Sequence, residues 1–236
     1  MYTIKKFLKN MISANPSSEE KQTFEEKRRQ MVRTQLMSRD IVDEKVLRAM
    51  AKVPRHEFLP AELWNRAYDD TPLPIGENQT ISQPYIVAYM IQALSLKKGD
   101  RVLEVGTGSG YQAALLAEIY EEIYTVEVRP QLARKALAKL TELGYGDRVK
   151  IHIANGSLGY EEEAPFDGII VAAATFNIPE PLIDQLAEKG KIIIPIGGKE
   201  LQTLVRATKI NGKLTEEELF KCMFVPLVRK EFENNN

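Results

Sequence analysis

Cysteine is almost absent from this chain: Cys222 is the only one in 236 residues. No intrachain disulfide is possible, and no thiolate cluster can hold a metal. Its setting, Phe220-Lys221-Cys222-Met223-Phe224-Val225, is an apolar, strand-like run. That reads as a small core residue rather than a nucleophile. Histidine is nearly as scarce. His56 and His152 stand far apart and fit no metal-ligand spacing, so no metal site is expected. Long apolar runs are missing too. The first fifteen residues carry Lys5, Lys6 and Lys9, and their apolar stretches are too short for a signal core or a membrane span. A cytoplasmic protein without membrane contact is the expectation. Charge of one sign is not in excess either: the net charge is −1, and bulk charge gives no reason to expect a nucleic-acid partner. What remains is a chain that is 44% apolar, enough to bury the core of one sizeable domain.

Prolines and glycines divide that domain. Residues 1–18 read as a flexible tail or short amphipathic helix, and 229–236 as a polar tail. Pro16-Ser17-Ser18-Glu19-Glu20 has the look of a helix start, with a polar helix from Glu19 to about Met37. A second helix spans Asp43 to Lys52 and stops at Pro54. From Pro54 to Pro84 the chain is rich in breakers and reads as loop with short helices, the kind of segment that often forms a lid or binding wall. From Pro84 it alternates. Helices are expected over Pro84–Leu94, Tyr111–Tyr120, Gln131–Leu143 and Pro181–Leu186, with strands over Arg101–Val105, Glu122–Glu127, Val149–Ala154, Phe166–Ala173 and Lys191–Pro195. Two further strands, Leu201–Lys209 and Leu219–Val228, are joined through Asn211-Gly212 and a polar stretch. The alternation predicts an α/β, Rossmann-like doubly wound fold. Its sheet is mostly parallel, with helices on both faces and an antiparallel pair at the edge. Residues 19–83 form a helical and loop cap on a core spanning 84–228, within one domain spanning 19–228.

The richest stretch is Val102-Leu103-Glu104-Val105-Gly106-Thr107-Gly108-Ser109-Gly110-Tyr111. An apolar strand runs into glycines at every second position and then into a helix. The spacing differs from the G-x-G-x-x-G of a dinucleotide turn. A turn needing positive φ accounts for some glycine. Three alternate glycines behind an acid also let a cofactor press against bare backbone. Glu104 disfavours a phosphate there and suits a cation such as the amino group of S-adenosylmethionine. The stretch looks like motif I of the class I methyltransferases, with Glu104, Gly106, Thr107, Gly108 and Gly110 as cofactor contacts. Seventeen residues after Gly110, the second strand ends at Glu127. An acid there can accept both ribose hydroxyls, although a solvated strand-end glutamate would look the same. The third strand runs into Asn155-Gly156, where such folds place an adenine. The Asn155 carbonyl oxygen could accept from the adenine amino group, and a plain Asn-Gly turn is the competing reading.

Further segments carry a more specific resemblance. They are Val53-Pro54-Arg55, Phe58-Leu59-Pro60, Ala67-Tyr68-Asp69-Asp70, Pro72-Leu73-Pro74-Ile75-Gly76 and Gln79-Thr80-Ile81-Ser82-Gln83-Pro84. After the glycine motif come Ala164-Pro165-Phe166-Asp167, Gln185-Leu186 and Phe224-Val225-Pro226-Leu227. From roughly Arg29 to Leu227 the chain resembles the protein-L-isoaspartate O-methyltransferases. The resemblance implies a cytosolic repair enzyme that uses S-adenosylmethionine to esterify the α-carboxylate of L-isoaspartyl residues in aged proteins and peptides. The ester then closes to a succinimide that hydrolyses partly to aspartate. The resemblance implies that Ser82 is the catalytic serine, that Glu127 holds the ribose, and that Asn155-Gly156 meets the adenine. Thr80 is expected to assist Ser82, and Ile81 to touch the cofactor. Asn155 stands where the family usually has Asp, and Asn78 where it usually has Gly. Asn keeps an acceptor at the first position and tolerates left-handed backbone at the second.

A carboxylate nucleophile is already ionised at neutral pH, so no strong base is needed. Ser82 would orient it in line with the sulfonium methyl, though a serine there could also cap the helix from Pro84. The 54–83 segment forms the natural wall of a peptide cleft, with Trp64, Tyr68 and Tyr85 as aromatic candidates. A monomer is expected. Two other functions compete: another class I methyltransferase acting on a small molecule or nucleic acid, and a cofactor-binding homologue without catalysis. No Asn/Asp-Pro-Pro-aromatic motif follows the fourth strand, which counts against base methylation.

Overall fold

The computed structural model describes residues 24–228. The tails assigned to 1–18 and 229–236, and the start of the first helix, lie outside the described residues. Helix α1 (Phe24–Met31) widens into a π-helical turn over Val32–Met37. Helix α2 (Glu44–Lys52) begins where Asp43 accepts from the Lys45 amide at 2.8 Å. Two 3₁₀ turns follow (Arg55–Phe58 and Ala61–Arg66). The next stretch, expected as loop, is instead a small antiparallel hairpin of β1 (Leu73–Gly76) and β2 (Gln79–Ile81). Its turn residues Glu77 and Asn78 have φ of 52° and 54°. Both central residues of such a tight turn must be left-handed, because that twist matches the strands. Asn78 therefore holds the turn without the family's glycine.

The core begins at α3 (Pro84–Leu94) and alternates as the pattern requires. Strands β3 (Arg101–Val105), β4 (Glu122–Glu127), β5 (Val149–Ile153) and β6 (Phe166–Val171) are separated by α4 (Tyr111–Ile119), α5 (Pro130–Glu142) and short turns. Helix α6 (Glu180–Asp184) leads into β7 (Leu186–Gly197), followed by β8 (Gln202–Ile210) and β9 (Lys213–Cys222). The seven strands order as β5-β4-β3-β6-β7-β8-β9, parallel through β7 and antiparallel over the last two pairings. The order reverses between β3 and β6, and ligands of such sheets collect at that switch point.

Alternate residues of each strand feed two apolar layers. Val102, Ile123, Ile170 and Ile193 face α1–α5, while Leu103, Val105, Tyr124, Val126, Ile169 and Val171 face the other side. The two sides are covered unequally. The second layer is closed by Ile178 and by Leu182 of the short α6, with Tyr160 half-buried beside them. The last strand also lies elsewhere than Leu219–Val228. It starts at Lys213, directly after the Asn211-Gly212 turn, and ends at Cys222. Along Thr215-Glu216-Glu217-Glu218 all four side chains are exposed, so backbone pairing with β8 rather than a buried face makes this edge run a strand, with its charges in solvent.

Candidate active site

Strand β3 ends at Val105, and the chain then turns away through Gly106, Gly108 and Gly110, all at positive φ. A cleft of about 790 Å³ opens there, at the carboxyl ends of β3 and β4. Thr80, Ile81, Ser82, Glu104, Gly106, Thr107, Gly108, Glu127 and Gly156 all line it. Two of the expected residues do not. Gly110 turns toward α5 instead: a Cβ on it would lie 3.2–3.3 Å from Leu140 and Ala136, so its glycine serves close helix packing and a φ of +88°. Asn155 also stays out of the lining. Its Oδ1 accepts from the Ser157 amide at 3.0 Å and from the Ser157 hydroxyl at 2.9 Å. The oxygen assigned to an adenine amino group is thus engaged in capping the turn that follows β5. What reaches the cleft is Gly156, where a Cβ would approach Val105 to 2.6 Å.

Glu127 anchors the glycine loop. One oxygen accepts from the Gly108 amide and the other from the Arg129 amide, both at 2.9 Å. A carboxylate has about four acceptor positions, so two remain for a diol. Glu104 is fully buried. Thr125, its register partner on β4, donates to Oε2 at 2.6 Å. Thr107 therefore donates to Thr125, over 2.7 Å. The other oxygen, Oε1, and the buried Gln112 Nε2 of α4 complete no hydrogen bond of good geometry, although the Gln112 amide lies near enough to Glu104 to favour its ionised form. Burial pushes the Glu104 carboxyl up to about 8; the Thr125 hydroxyl opposes this, the charge of Glu127 adds to it, and the Gln112 amide opposes it. Thr125 and Gln112 escaped the sequence reading. Thr125 was detectable only with the β3–β4 register in hand, and Gln112 only with α4 laid on the sheet.

Ser82 precedes α3 without capping it. The cap residue is Gln83, with Pro84 in the first turn and no side-chain cap bond. Among the described residues, no hydrogen bond involves the Ser82 or Thr80 hydroxyl, so both can donate to a ligand. A second cleft of about 740 Å³ adjoins the first and shares Thr80, Ser82, Ala172 and Val225 with it. Its other walls include Pro72, Gln83, Ile86 and the segment Lys221–Phe224. The aromatic candidates lie elsewhere. Trp64 packs on Phe24 and His56, Tyr68 is buried against His56, and Tyr85 donates to Asp40 at 2.7 Å.

The chain beyond β9 was expected as strand and is a strap across both clefts. Ala174 donates to Val225 and accepts from Leu227, each at 2.8 Å, which sets Val225–Val228 against the end of β6.

The sequence model of the protein-L-isoaspartate(D-aspartate) O-methyltransferase family matches residues 26–232. The chain belongs to this family. The protein-L-isoaspartate O-methyltransferase of Opitutus terrae is 52% identical over 205 residues, spanning 86% of this chain and 88% of that one. The one from Petrotoga mobilis is 52% identical over 207 residues, 87% of this chain and 97% of the other. A solved structure from Plasmodium falciparum, described as a protein-L-isoaspartate O-methyltransferase in complex with S-adenosyl-L-homocysteine, superposes with a TM-score of 0.74. It is 29% identical and covers 89% of this chain and all of its own. Membership makes the chain a class I methyltransferase. Among the described residues no helix is long and apolar enough to cross a membrane, and no group of His, Cys, Asp and Glu could hold a metal.

Proposed function

We propose that this chain methylates the α-carboxylate of L-isoaspartyl residues in damaged proteins and peptides. The single observation that supports this most directly is the junction of two clefts at Thr80 and Ser82. One cleft carries the family's cofactor loop, and the other adjoins it at these two hydroxyl residues and offers a place for the methyl acceptor. S-adenosylmethionine, when bound, supplies a sulfonium methyl. The residues of the first cleft suit it end to end. The unpartnered Glu104 Oε1 suits the ammonium of its amino-acid end, and the unpartnered Gln112 Nε2 suits the carboxylate. Burial of such atoms without partners is costly, and a ligand that satisfies both recovers that cost. The free acceptor positions of Glu127 suit the ribose diol, and Gly156 leaves room for a flat ring.

The chain's own work in the reaction is then orientation. The substrate carboxylate arrives ionised, and the Ser82 hydroxyl, helped by Thr80, holds one oxygen without taking a proton. A donor that orients and does not acidify leaves the nucleophile its charge. Alignment of this kind can lower a barrier by several kcal/mol (~7–11 for ideal cases). Calorimetric titration with S-adenosylmethionine tests the cofactor site. A methyl-transfer assay on an isoaspartyl peptide, beside the same peptide with normal aspartate, tests the reaction. Transfer to the isoaspartyl peptide alone is expected. Equal transfer to both, or to neither, overturns the reading.

A further inference from the structure

We propose that Lys221 is a specificity-determining residue that favours substrates with an acidic side chain beside the isoaspartyl residue. This inference rests on the isoaspartyl reading above. Among the described residues that line the second cleft, Lys221 is the only one with a charge; the rest are apolar, hydroxyl, amide or thiol groups. Its ammonium has one anchor, at the surface. It donates to the Thr203 hydroxyl at 2.6 Å, across the β8–β9 pair that sets Lys221 opposite Thr203. One hydrogen bond leaves two of its three donors free. Strand alternation turns its neighbour Cys222 into the core and leaves Lys221 and Met223 outward.

The position of Lys221 decides which part of a substrate it meets. The reacting carboxylate must reach the junction, and the junction residues Thr80, Ser82, Ala172 and Val225 line both clefts. Lys221 lines the second cleft only. It therefore faces residues that flank the reacting one. A partly solvated ion pair with one tethered partner selects modestly, by roughly two- to five-fold.

The test compares two isoaspartyl peptides that differ only in one flanking residue, Glu or Lys. The reacting carboxylate is common to both, so the ratio of their kcat/KM values isolates the flank. The wild type is expected to prefer the Glu peptide by roughly two- to five-fold at low salt, with the preference fading as salt screens it. Lys221→Gln is expected to bring the ratio to about one, and Lys221→Glu to invert it, while Lys221→Arg retains it. A lost hydrogen bond to Thr203 cannot invert a preference. S-adenosylmethionine affinity checks that each variant is folded. A ratio that stays the same through Lys221→Gln and Lys221→Glu overturns the proposal. A wild type that methylates neither peptide overturns the isoaspartyl reading itself, which is a distinguishable result.

Discussion

At the scale of single residues, Glu104 sets function against stability. Its carboxyl is raised to about 8, chiefly by burial, so the folded protein without cofactor holds it neutral at pH 7. A raised acid stabilises fully below the ordinary carboxyl value of about 4.5 and loses that contribution as pH climbs through about 8. The melting temperature of the cofactor-free protein is expected to fall between pH 5 and 8. Glu104→Gln is expected to flatten that fall and to stabilise the protein at pH 8 by about 1 kcal/mol or more, because a neutral amide is cheaper to bury. Cofactor affinity shows the opposite trend. An ammonium ligand requires the ionised carboxylate, so binding tightens by up to about tenfold per pH unit on the way to 8, beyond which the ammonium itself begins to be lost. Titration at a series of pH values, with Glu104→Gln beside the wild type, checks both halves. A variant that binds as tightly as wild type removes Glu104 from the site.

Ser82 is the second residue-scale case. The capping role that a serine before Pro84 suggested belongs to no side chain here. Ser82→Ala is therefore expected to keep the melting temperature and the cofactor affinity, and to lower kcat on the order of a hundredfold. Steady-state kinetics on an isoaspartyl peptide decides it, and unchanged turnover ends the catalytic assignment. Glu127→Ala behaves differently, since the carboxylate serves both the loop and the ligand. Loss of two hydrogen bonds to a charged acceptor is expected to weaken S-adenosylmethionine binding by about 3 kcal/mol. Freed amides at Gly108 and Arg129 would lower stability as well, visible by calorimetry.

At the scale of elements, periodicity placed the helices from α2 on and strands β3 to β6 within a residue or two, because each buries apolar residues against one or both of the two layers, while β7 starts at Leu186, five residues before the expected Lys191. The failures fall where local chemistry outweighs pattern. Strand β9 carries three consecutive glutamates, all exposed, and still pairs, since its backbone bonds to β8 and an edge strand can leave both faces of such a run in water. The hairpin β1–β2 has strands of only four and three residues, so the alternation of Leu73 and Ile75 about Pro74 was too short to mark it. The Asn155-Gly156 turn shows the same lesson in a site. Asparagine there acts on its own backbone, closing the 3₁₀ turn Gly156–Leu158. Asn155→Leu is expected to cost about 1 kcal/mol of stability through loss of this cap. Cofactor affinity falls only as far as Gly156 shifts. Asn155→Asp keeps the acceptor and is expected to match wild type in both. Thermal melts with and without cofactor separate the two effects. A large affinity loss in Asn155→Leu at unchanged stability returns the residue to a direct adenine contact.

At the scale of the whole molecule, the clefts exist because the strand order reverses between β3 and β6, and the strap from Val225 to Val228 closes the far side. The walls of the first cleft then come from β3, β4, α4, the hairpin and the strap together. A ligand that ties so many elements stabilises only the folded state. At a hundredfold excess over its dissociation constant it is expected to add about 2.7 kcal/mol. For a chain of this size that is a rise of roughly 5–10 °C in melting temperature. Calorimetry with S-adenosyl-L-homocysteine checks it, and no shift at saturation speaks against the assembled site.

The sequence by itself determined the alternation of strands and helices, the glycine turn after β3, the acid at the end of β4 and the family. Each of these rests on residues adjacent in the chain, where spacing and side-chain chemistry act directly. The tertiary structure alone decided which polar groups remain without partners. Glu104 Oε1 is unpaired because Thr125 satisfies only one oxygen from the neighbouring strand, and Gln112 is unpaired because α4 packs it inward. The fold also decided that Asn155 caps a turn, that Gly110 packs on α5, and that Lys221, far along the chain, shares a cleft with Ser82. Those outcomes depend on register and packing across long sequence separations, which no local pattern encodes.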